Sequence, residues 1–334
     1  MTFVSAYRVH ASGIEKKVNL QITNKSMIGT GNFGCVIDAF IKTTAGDVEH
    51  VAIKKVKTNK DDQISHISRE LYFLQLSTHP CIVSLLYHYF LETEENMFHC
   101  LIFEYFPIDL HRLLKTKLNR RLNVIDSMIY SFQLFYALHY VHSRSVTHRD
   151  IKPANLLIND EMGILKLADF GSCIVLTEGE HYNPYQITRF YRPPELLFGA
   201  EEYTHKIDIW SGICTIVEMS LGRPLFIGKC RADQATKILD ALGVPTNEDL
   251  ESMKVKKVNC KYRIGKGVVP IKDSYLLPKE IINLMEINLV YNPFERMEAI
   301  EIINHPYFMP ITQKQSFVRE NNKYVPSFLK NITL

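Results

Sequence analysis

The stretches that decide the fold are His148–Asn155, with the sequence HRDIKPAN, and the triplet Asp169–Gly171, DFG. The triplet begins nineteen residues after Asp150, directly behind the apolar, strand-like segment 164–168. An H-R-D-x-x-x-x-N motif followed by D-F-G is a specific combination, because chance rarely supplies both in this order. The two motifs together predict a site for phosphoryl transfer.

The residue types in these motifs fit that reaction. Phosphoryl transfer depends on positioning and on charge stabilisation more than on covalent chemistry by the protein. We expect Asp169 and Asn155 to give oxygen ligands to Mg²⁺, which prefers hard oxygen atoms. Asp150 would orient the acceptor hydroxyl and take its proton, and Lys152 would neutralise the moving phosphoryl group.

A glycine-rich segment, Gly29–Val36 with the sequence GTGNFGCV, precedes these motifs. Glycines let a backbone approach phosphates because no Cβ stands in the way. Dinucleotide-binding oxidoreductases use the same spacing, but there the loop opens a helix, whereas this one joins two predicted strands. A P-loop is excluded because the nearest match, Gly222–Cys230, has the wrong spacing and lacks the Ser or Thr that binds Mg²⁺. On its own the segment would more often be a plain hairpin turn.

One hairpin later, Val51–Lys54 (VAIK) places a lysine in an otherwise apolar strand. An unpaired charge is unfavourable there, and Glu70 on the following predicted helix is the natural counterion. Side chains alternate along a strand, so Lys54 and Lys55 point to opposite faces and only one can serve a site. The alternative for Lys54 is a surface lysine on an edge strand.

Strand patterns dominate the first hundred residues, and helical patterns dominate the rest. Asn19–Val56 reads as strand, glycine turn, strand and strand, and His99–Phe106 as a further strand. Asp61–Ser77 has helical periodicity, and so has a long apolar segment from Val124 to about His142. This order favours an α+β protein with a linker near Glu104–Asp109.

The bulk composition is that of an ordinary globular chain. The 39 Lys and Arg exceed the 36 Asp and Glu by only three, so neither nucleic acid nor a membrane is expected as a partner. The seven cysteines form no C-x-x-C pair, which argues against a zinc ribbon or a thioredoxin-like centre. We expect reduced thiols in an intracellular protein, in the cytoplasm and, as a second location, the nucleus.

These motifs together resemble the eukaryotic protein kinase family over Lys25–Phe308. Pro193–Glu195 stands where A-P-E is usual, and Asp208–Gly212 matches the helix that anchors the C-lobe. Arg296 sits where the family has the buried ion-pair partner of Glu195.

The resemblance implies a bilobal protein kinase fold, with a small β-rich N-lobe and a larger α-helical C-lobe. The implied limits are an N-terminal extension over 1–24, a kinase domain over 25–308 and a C-terminal tail over 309–334. The kinase domain would consist of an N-lobe over about 25–105, a hinge over 104–109 and a C-lobe over 110–308.

The implied activity is that of a Ser/Thr protein kinase, which transfers the γ-phosphate of ATP to protein substrates with Mg²⁺. The chain resembles the CMGC group of kinases in Arg69–Leu71 and Tyr191–Arg192. Within that group it is most similar to glycogen synthase kinase-3, as judged from Leu197–Ala200, Tyr203–Thr204 and Asp169–Ser172. That family belongs to the CMGC group, together with the cyclin-dependent and mitogen-activated kinases. A kinase of those other types and a pseudokinase scaffold are the alternatives, although the intact motifs oppose the scaffold.

The family's functional residues carry over position by position. Lys54 would hold the phosphates and Glu70 would hold Lys54, while Asp150 and Lys152 act on the acceptor. The implied ATP-binding residues are Gly29, Thr30, Gly31, Asn32, Phe33, Gly34, Val36, Ala52, Lys54, Phe103, Glu104, Phe106 and Asp109. The implied regulatory and substrate-contacting residues are Tyr185, Arg69, Arg149 and Arg192. Tyr185 matches a tyrosine that the family phosphorylates on itself, with an ordinary loop tyrosine as the alternative.

Two departures from the family pattern concern partners. The family reads a phosphate already on its substrate with two arginines and a lysine. Arg69 and Arg149 match the arginines, but Ile174 stands at the lysine position, so we expect weaker binding of such primed substrates. The basic segment Lys254–Lys266 is either a solvated face or a docking site for an acidic scaffold or regulatory protein.

Overall fold

The computed structural model describes residues 1–9, 16–31, 34–43, 46–58, 66–94, 96–177, 179–183, 187–258, 265, 267, 276–313, 318–320, 323–330 and 332. These residues form two compact units, one from 1–107 with 168–172 and the other from 108–167 with 173–334. The first is rich in strands and the second is mainly helical, as the sequence predicts.

An antiparallel barrel makes up most of the first unit. Its strands are β1 (Thr2–Arg8), β2 (Lys16–Gly31), β3 (Gly34–Thr43), β4 (Val48–Thr58), β5 (Leu85–Glu92) and β6 (Met97–Glu104). Their order is β1-β2-β3-β4-β6-β5, and β1 closes the barrel by pairing with β5. Leu20, Ile22 and Ile41 are fully buried inside it, because side chains alternate between the two faces of each strand.

The predicted elements of this unit are largely present. β2, β3 and β4 confirm the strands within Asn19–Val56, and β6 confirms the strand near His99–Phe106. The predicted helix over Asp61–Ser77 occurs as α1 (His66–Gln75), with 61–65 outside the described residues. Residues 1–24, which we separated as an N-terminal extension, contain β1 and the start of β2 and so contribute to the barrel.

Helices and short strands make up the second unit. The helices are α2 (Leu110–Thr116), α3 (Val124–His142), α4 (Pro194–Phe198), α5 (Lys206–Leu221), α6 (Arg231–Leu242), α7 (Asn247–Ser252), α8 (Lys279–Asn288), α9 (Ala299–Ile303) and α10 (Met309–Thr312). The strands are β7 (Ile108–Asp109), β8 (Val146–Thr147), β9 (Leu156–Asn159), β10 (Ile164–Leu167) and β11 (Ile174–Val175). α3 confirms the predicted long helix. Over the described ranges, every helix is too short or too polar to cross a bilayer.

α5 is buried along its whole length. Gly212 allows it to approach α3 closely, since a Cβ there would lie 3.1 Å from ring atoms of Phe135. The predicted ion pair is present nearby, with the Arg296 guanidinium 2.7 and 2.8 Å from the two carboxylate oxygens of Glu195. Both side chains are almost completely buried.

The segment after α10 is anchored to the helical unit by Arg319. Its fully buried guanidinium donates to Oδ1 of Asp126 at 2.6 Å, the Tyr130 hydroxyl at 3.0 Å and Oδ1 of Asp160 at 3.1 Å. Gly163, in the turn between β9 and β10, has φ of 68°, and a Cβ there would lie 2.8 Å from this guanidinium. Part of the predicted C-terminal tail is therefore built into the fold.

Candidate active site

Lys54, Glu70 and Asp169 form a polar cluster within the β-rich unit. Nζ of Lys54, on β4, lies 3.0 and 2.9 Å from the two carboxylate oxygens of Glu70 and 2.8 Å from Oδ1 of Asp169. Glu70, on α1, is only 2% exposed, and Lys54 is its ion-pair partner. The structure thus brings together three residues that lie far apart in the sequence.

The charge of Lys54 is stabilised by these contacts. Burial alone would lower the pKa of Lys54, but the attraction of Glu70 and Asp169 outweighs burial and raises that pKa above its ordinary value. Lys55 points to the other face of β4, where its Nζ lies 3.8 Å from the ring centre of Phe98. Of these two lysines, only Lys54 serves the cluster.

The backbone at Asp169 is held in an unusual conformation. Its φ of 63° is in the left-handed region, which is uncommon for residues other than glycine. Phe170 is fully buried and stacks on Phe73 of α1, with ring centres 4.8 Å apart. This packing holds the conformation, while the Asp169 side chain stays 48% exposed and accessible to a ligand.

The glycine-rich segment joins β2 to β3, as predicted. Gly29, Thr30 and Gly31 end β2 and Gly34 begins β3, whereas Asn32 and Phe33 lie outside the described residues. Gly34 has φ of 148°, and a Cβ there would lie 1.8 Å from the carbonyl oxygen of Lys55. Only glycine fits at this position.

The remaining nucleotide-site candidates of this unit lie on neighbouring strands. Val36 of β3 is paired with Lys54, and Ala52 of β4 with Phe103 of β6. The Glu104 amide donates to the Ser84 carbonyl at 3.2 Å, and the Glu104 carboxylate accepts from the Ser84 amide at 2.7 Å. The Glu104 amide is thus engaged within the unit, and Phe106 follows β6 as a half-buried residue.

In the helical unit, the Asp150 carboxylate accepts three side-chain hydrogen bonds. Nζ of Lys152 and Nδ2 of Asn155 lie 2.6 and 2.9 Å from its Oδ2. The Thr188 hydroxyl donates to its Oδ1 at 2.9 Å and also accepts from Nζ of Lys152 at 3.0 Å. These donors fix the orientation of a carboxylate that is itself mostly buried.

The loop that carries Asp150 is fastened to α5 through Asp208. The fully buried Asp208 carboxylate accepts the backbone amides of His148 at 2.7 Å and Arg149 at 2.9 Å. Arg149 has φ of 66°, a strained value that these two bonds help to maintain. His148 is fully buried, in agreement with a packed core residue.

Sequence reasoning missed Thr188 and the contact of Asp208 with this loop. Both contact the loop from distant positions. The Asp208–Gly212 motif marks Asp208 but does not reveal this contact, and no motif marks Thr188. Asp109, one of the predicted ATP-binding residues, caps α2, because its carboxylate accepts from the Arg112 amide at 2.8 Å.

The described residues that we predicted to be regulatory or to contact the substrate belong to different elements. Nη1 of Arg149 donates to the Tyr203 hydroxyl at 3.2 Å, and Arg192 donates to the carbonyl of Ile187. Arg69 belongs to α1. Tyr185 lies outside the described residues, and so does most of 254–266.

The residues proposed for Mg²⁺ have donors that suit it. Asp169 offers a half-exposed carboxylate. Asn155 turns its amide nitrogen to Asp150, donating to the Asp150 carbonyl at 2.8 Å as well as to its carboxylate, which leaves the amide oxygen as the candidate ligand. A carboxylate and an amide oxygen are ligands that Mg²⁺ accepts.

Comparison with known proteins agrees with this chemistry. Residues 22–308 match the family model described as the protein kinase domain. The protein kinase gsk31 of Schizosaccharomyces pombe is 38% identical over 287 residues, which are 84% of this chain and 74% of that protein. Glycogen synthase kinase 1 of Pyricularia oryzae is 37% identical over 87% of this chain and 73% of that protein. The protein kinase gsk3 of S. pombe is 34% identical, over 86% of this chain and 74% of that protein.

Proposed function

Because this chain belongs to the protein kinase family and is a glycogen synthase kinase-3-like serine/threonine kinase, we propose that Asp150, Lys54 and Asp169 carry its phosphoryl transfer. The observation that carries this proposal is the Asp150 carboxylate, held by Lys152, Asn155 and Thr188. In this assignment the β-rich unit is the N-lobe and the helical unit the C-lobe of a bilobal kinase, with a hinge over 104–109.

Asp150 aligns the acceptor hydroxyl of the protein substrate and takes its proton as the bond to phosphorus forms. Its fixed orientation supports this role, since a general base must stand within hydrogen-bond reach of the proton it accepts. Lys152 bonds both to Asp150 and to Thr188, so its ammonium is positioned to neutralise the phosphoryl group as it moves.

Lys54 binds the ATP phosphates as a permanently charged donor. Glu70 holds its ammonium in place, which limits the reorganisation needed when the nucleotide binds. The glycine-rich segment covers the phosphates through its backbone, and Val36 and Ala52 contact the base. Asp169 and Asn155 would hold Mg²⁺, which would neutralise phosphate charge when it is bound.

We further propose that substrates without a priming phosphate are used nearly as well as primed ones. Ile174 is 6% exposed and pairs with Thr147 across β11 and β8, so it offers neither charge nor a donor where the family has its lysine. Arg69 and Arg149 alone would give a weaker phosphate site than three cations do.

The test is transfer of radiolabelled γ-phosphate to two peptides that differ only by a phosphoserine four residues after the acceptor serine. We expect label on serine in both, with kcat/KM differing by less than about tenfold. The Ile174→Lys variant is the matched comparison and should favour the phosphorylated peptide, with thermal unfolding recorded to check its fold. A strict requirement for the phosphoserine in the unmodified chain would contradict the proposal that priming is not needed. Absence of label on both peptides would favour a pseudokinase scaffold over an active enzyme.

A further inference from the structure

Two tyrosines of the helical unit connect the segment after β11 to the loop that carries Asp150. Tyr182 lies in that segment, and Tyr203 shortly precedes α5. Their ring centres are 5.9 Å apart and their planes are inclined by 57°, within the range of favourable aromatic pairs. The assignment of phosphoryl transfer above uses neither residue.

The hydroxyl of Tyr182 fastens the segment in which it lies. It accepts from the Thr177 backbone amide at 2.9 Å and donates to Oε2 of Glu180 at 2.8 Å. A hydroxyl donates one hydrogen bond and accepts others, so both bonds form at once. The backbone amide of Tyr182 donates to the Glu201 carbonyl at 2.8 Å. These bonds hold the segment against the chain that leads to Tyr203.

Tyr203 offers a fixed acceptor to Arg149. Its ring packs against an apolar cluster of buried residues, which are Ile187, Leu196 and Ile207. Its hydroxyl accepts from Nη1 of Arg149 at 3.2 Å. Burial raises the pKa of the Tyr203 hydroxyl, so this acceptor stays neutral and keeps its own hydrogen.

The contacts of Tyr203 approach Asp150 from two directions. Arg149 directly precedes Asp150, and its φ of 66° is a value that the surrounding structure must maintain. Ile187, a member of the apolar cluster, directly precedes Thr188, whose hydroxyl lies 2.9 Å from Oδ1 of Asp150. A shift of Tyr203 would therefore disturb both the loop that carries the proposed base and a donor to its carboxylate.

We propose that Tyr182 and Tyr203 are positioning residues for phosphoryl transfer, through which the segment after β11 fixes Arg149 and thereby Asp150. This inference rests on the proposed function, because that proposal assigns the chemistry to Asp150. Small errors in the placement of a catalytic group slow a reaction markedly. Loss of either hydroxyl should therefore lower kcat, while the binding of ATP stays the same.

The kinetic test uses Tyr182→Phe, Tyr203→Phe and the double variant of the full chain, since each change removes one hydroxyl and keeps the ring. We expect kcat for a serine peptide to fall about three- to tenfold in each single variant, with KM for ATP changed less than about twofold. Because the two residues act in series, the loss in the double variant should be smaller than the product of the single losses. Losses that multiply, or a single variant with unchanged kcat, would overturn the proposal.

Tyr324→Phe is the matched control. Tyr324 is 63% exposed and lies in the segment after α10. The control variant should keep the kcat of the unmodified chain, and all variants should keep its thermal unfolding midpoint. A loss of kcat in the control equal to that in the two single variants would mean that removal of any tyrosine hydroxyl slows the reaction, which would contradict a specific positioning role.

Amide hydrogen exchange tests the inference without turnover. The amides of His148 and Arg149, which donate to Asp208, are followed by NMR in the nucleotide-free chain. Each single variant should speed their exchange at least about threefold, because the loop opens more readily, and the control should not. Unchanged exchange would overturn this inference alone, whereas near-normal turnover by Asp150→Asn would overturn the proposed function.

Discussion

The hydroxyl of Thr188 lies 2.9 Å from Oδ1 of Asp150, although 38 residues separate them in the chain. The same hydroxyl accepts from Nζ of Lys152 at 3.0 Å. Thr188 therefore links Asp150, the proposed base, to Lys152, the proposed charge-neutralising lysine. It also connects the segment after β11 to the loop that carries Asp150.

Replacing Thr188 should slow the reaction without unfolding the protein. Thr188→Val keeps the shape but removes a hydrogen bond to a charged group, which contributes about 1.5–3 kcal/mol. We expect kcat to fall about 10- to 100-fold in a steady-state peptide assay. Thr188→Ser retains the hydroxyl and should stay within a few-fold of the unmodified chain. Full kcat in the valine variant would show that the contact is unimportant.

Lys54 and Lys55 offer a matched pair on one strand. Lys54→Met removes the phosphate-binding charge and leaves Glu70 buried without its partner, so we expect kcat/KM for ATP to fall about 10²- to 10³-fold. Lys55 faces Phe98 on the other side of β4. Lys55→Met should therefore retain most activity, and equal losses in the two variants would argue against the assignment of Lys54.

The buried pair of Glu195 and Arg296 should be a major contributor to stability. Arg296→Met leaves an uncompensated carboxylate, which costs about 3–5 kcal/mol in such sites. Urea unfolding followed by circular dichroism measures this loss. The double variant Glu195→Leu with Arg296→Met removes both charges and should be less destabilised than Arg296→Met alone. A greater loss in the double variant would contradict an electrostatic origin.

Glu218 should make stability depend on pH. Burial raises the pKa of this carboxyl from 4.5 to about 7, and the Tyr191 hydroxyl donates to it at 2.8 Å. The folded state holds the proton more tightly than the unfolded state, so its contribution to stability is present below pH 4.5 and is lost as pH rises to about 7.

The Glu218→Gln variant isolates this effect, since the glutamine oxygen can still accept from Tyr191. At pH 8 we expect the variant to be more stable than the unmodified chain by about 2 kcal/mol, with the gain smaller at pH 5. Urea unfolding at both pH values provides the comparison. A difference between the two proteins that does not change with pH would contradict the raised pKa.

The sequence predicts those features whose signal is local. Motif spacing locates Asp150 and Asp169, and the apolar repeat from Val124 predicts α3 because helix periodicity is contained in the segment itself. The side-chain alternation that separates Lys54 from Lys55 is local as well.

Features that depend on distant partners are not predicted. β1 closes the barrel by pairing Tyr7 with His88, a register set only when the sheet forms. Arg319 becomes a buried anchor only because Asp126 and Asp160 meet it in the fold. Thr188 likewise acquires its role from Asp150 and Lys152, which lie far from it in the sequence.

Phosphate transfer by the Asp150→Asn variant tests the central assignment most directly. Asparagine has nearly the same shape as aspartate but cannot accept the hydroxyl proton. We predict that transfer of labelled γ-phosphate to a serine peptide falls at least about 10³-fold, while calorimetric ATP affinity changes less than about threefold. Near-normal turnover by this variant would contradict the role of Asp150 and the mechanism built on it.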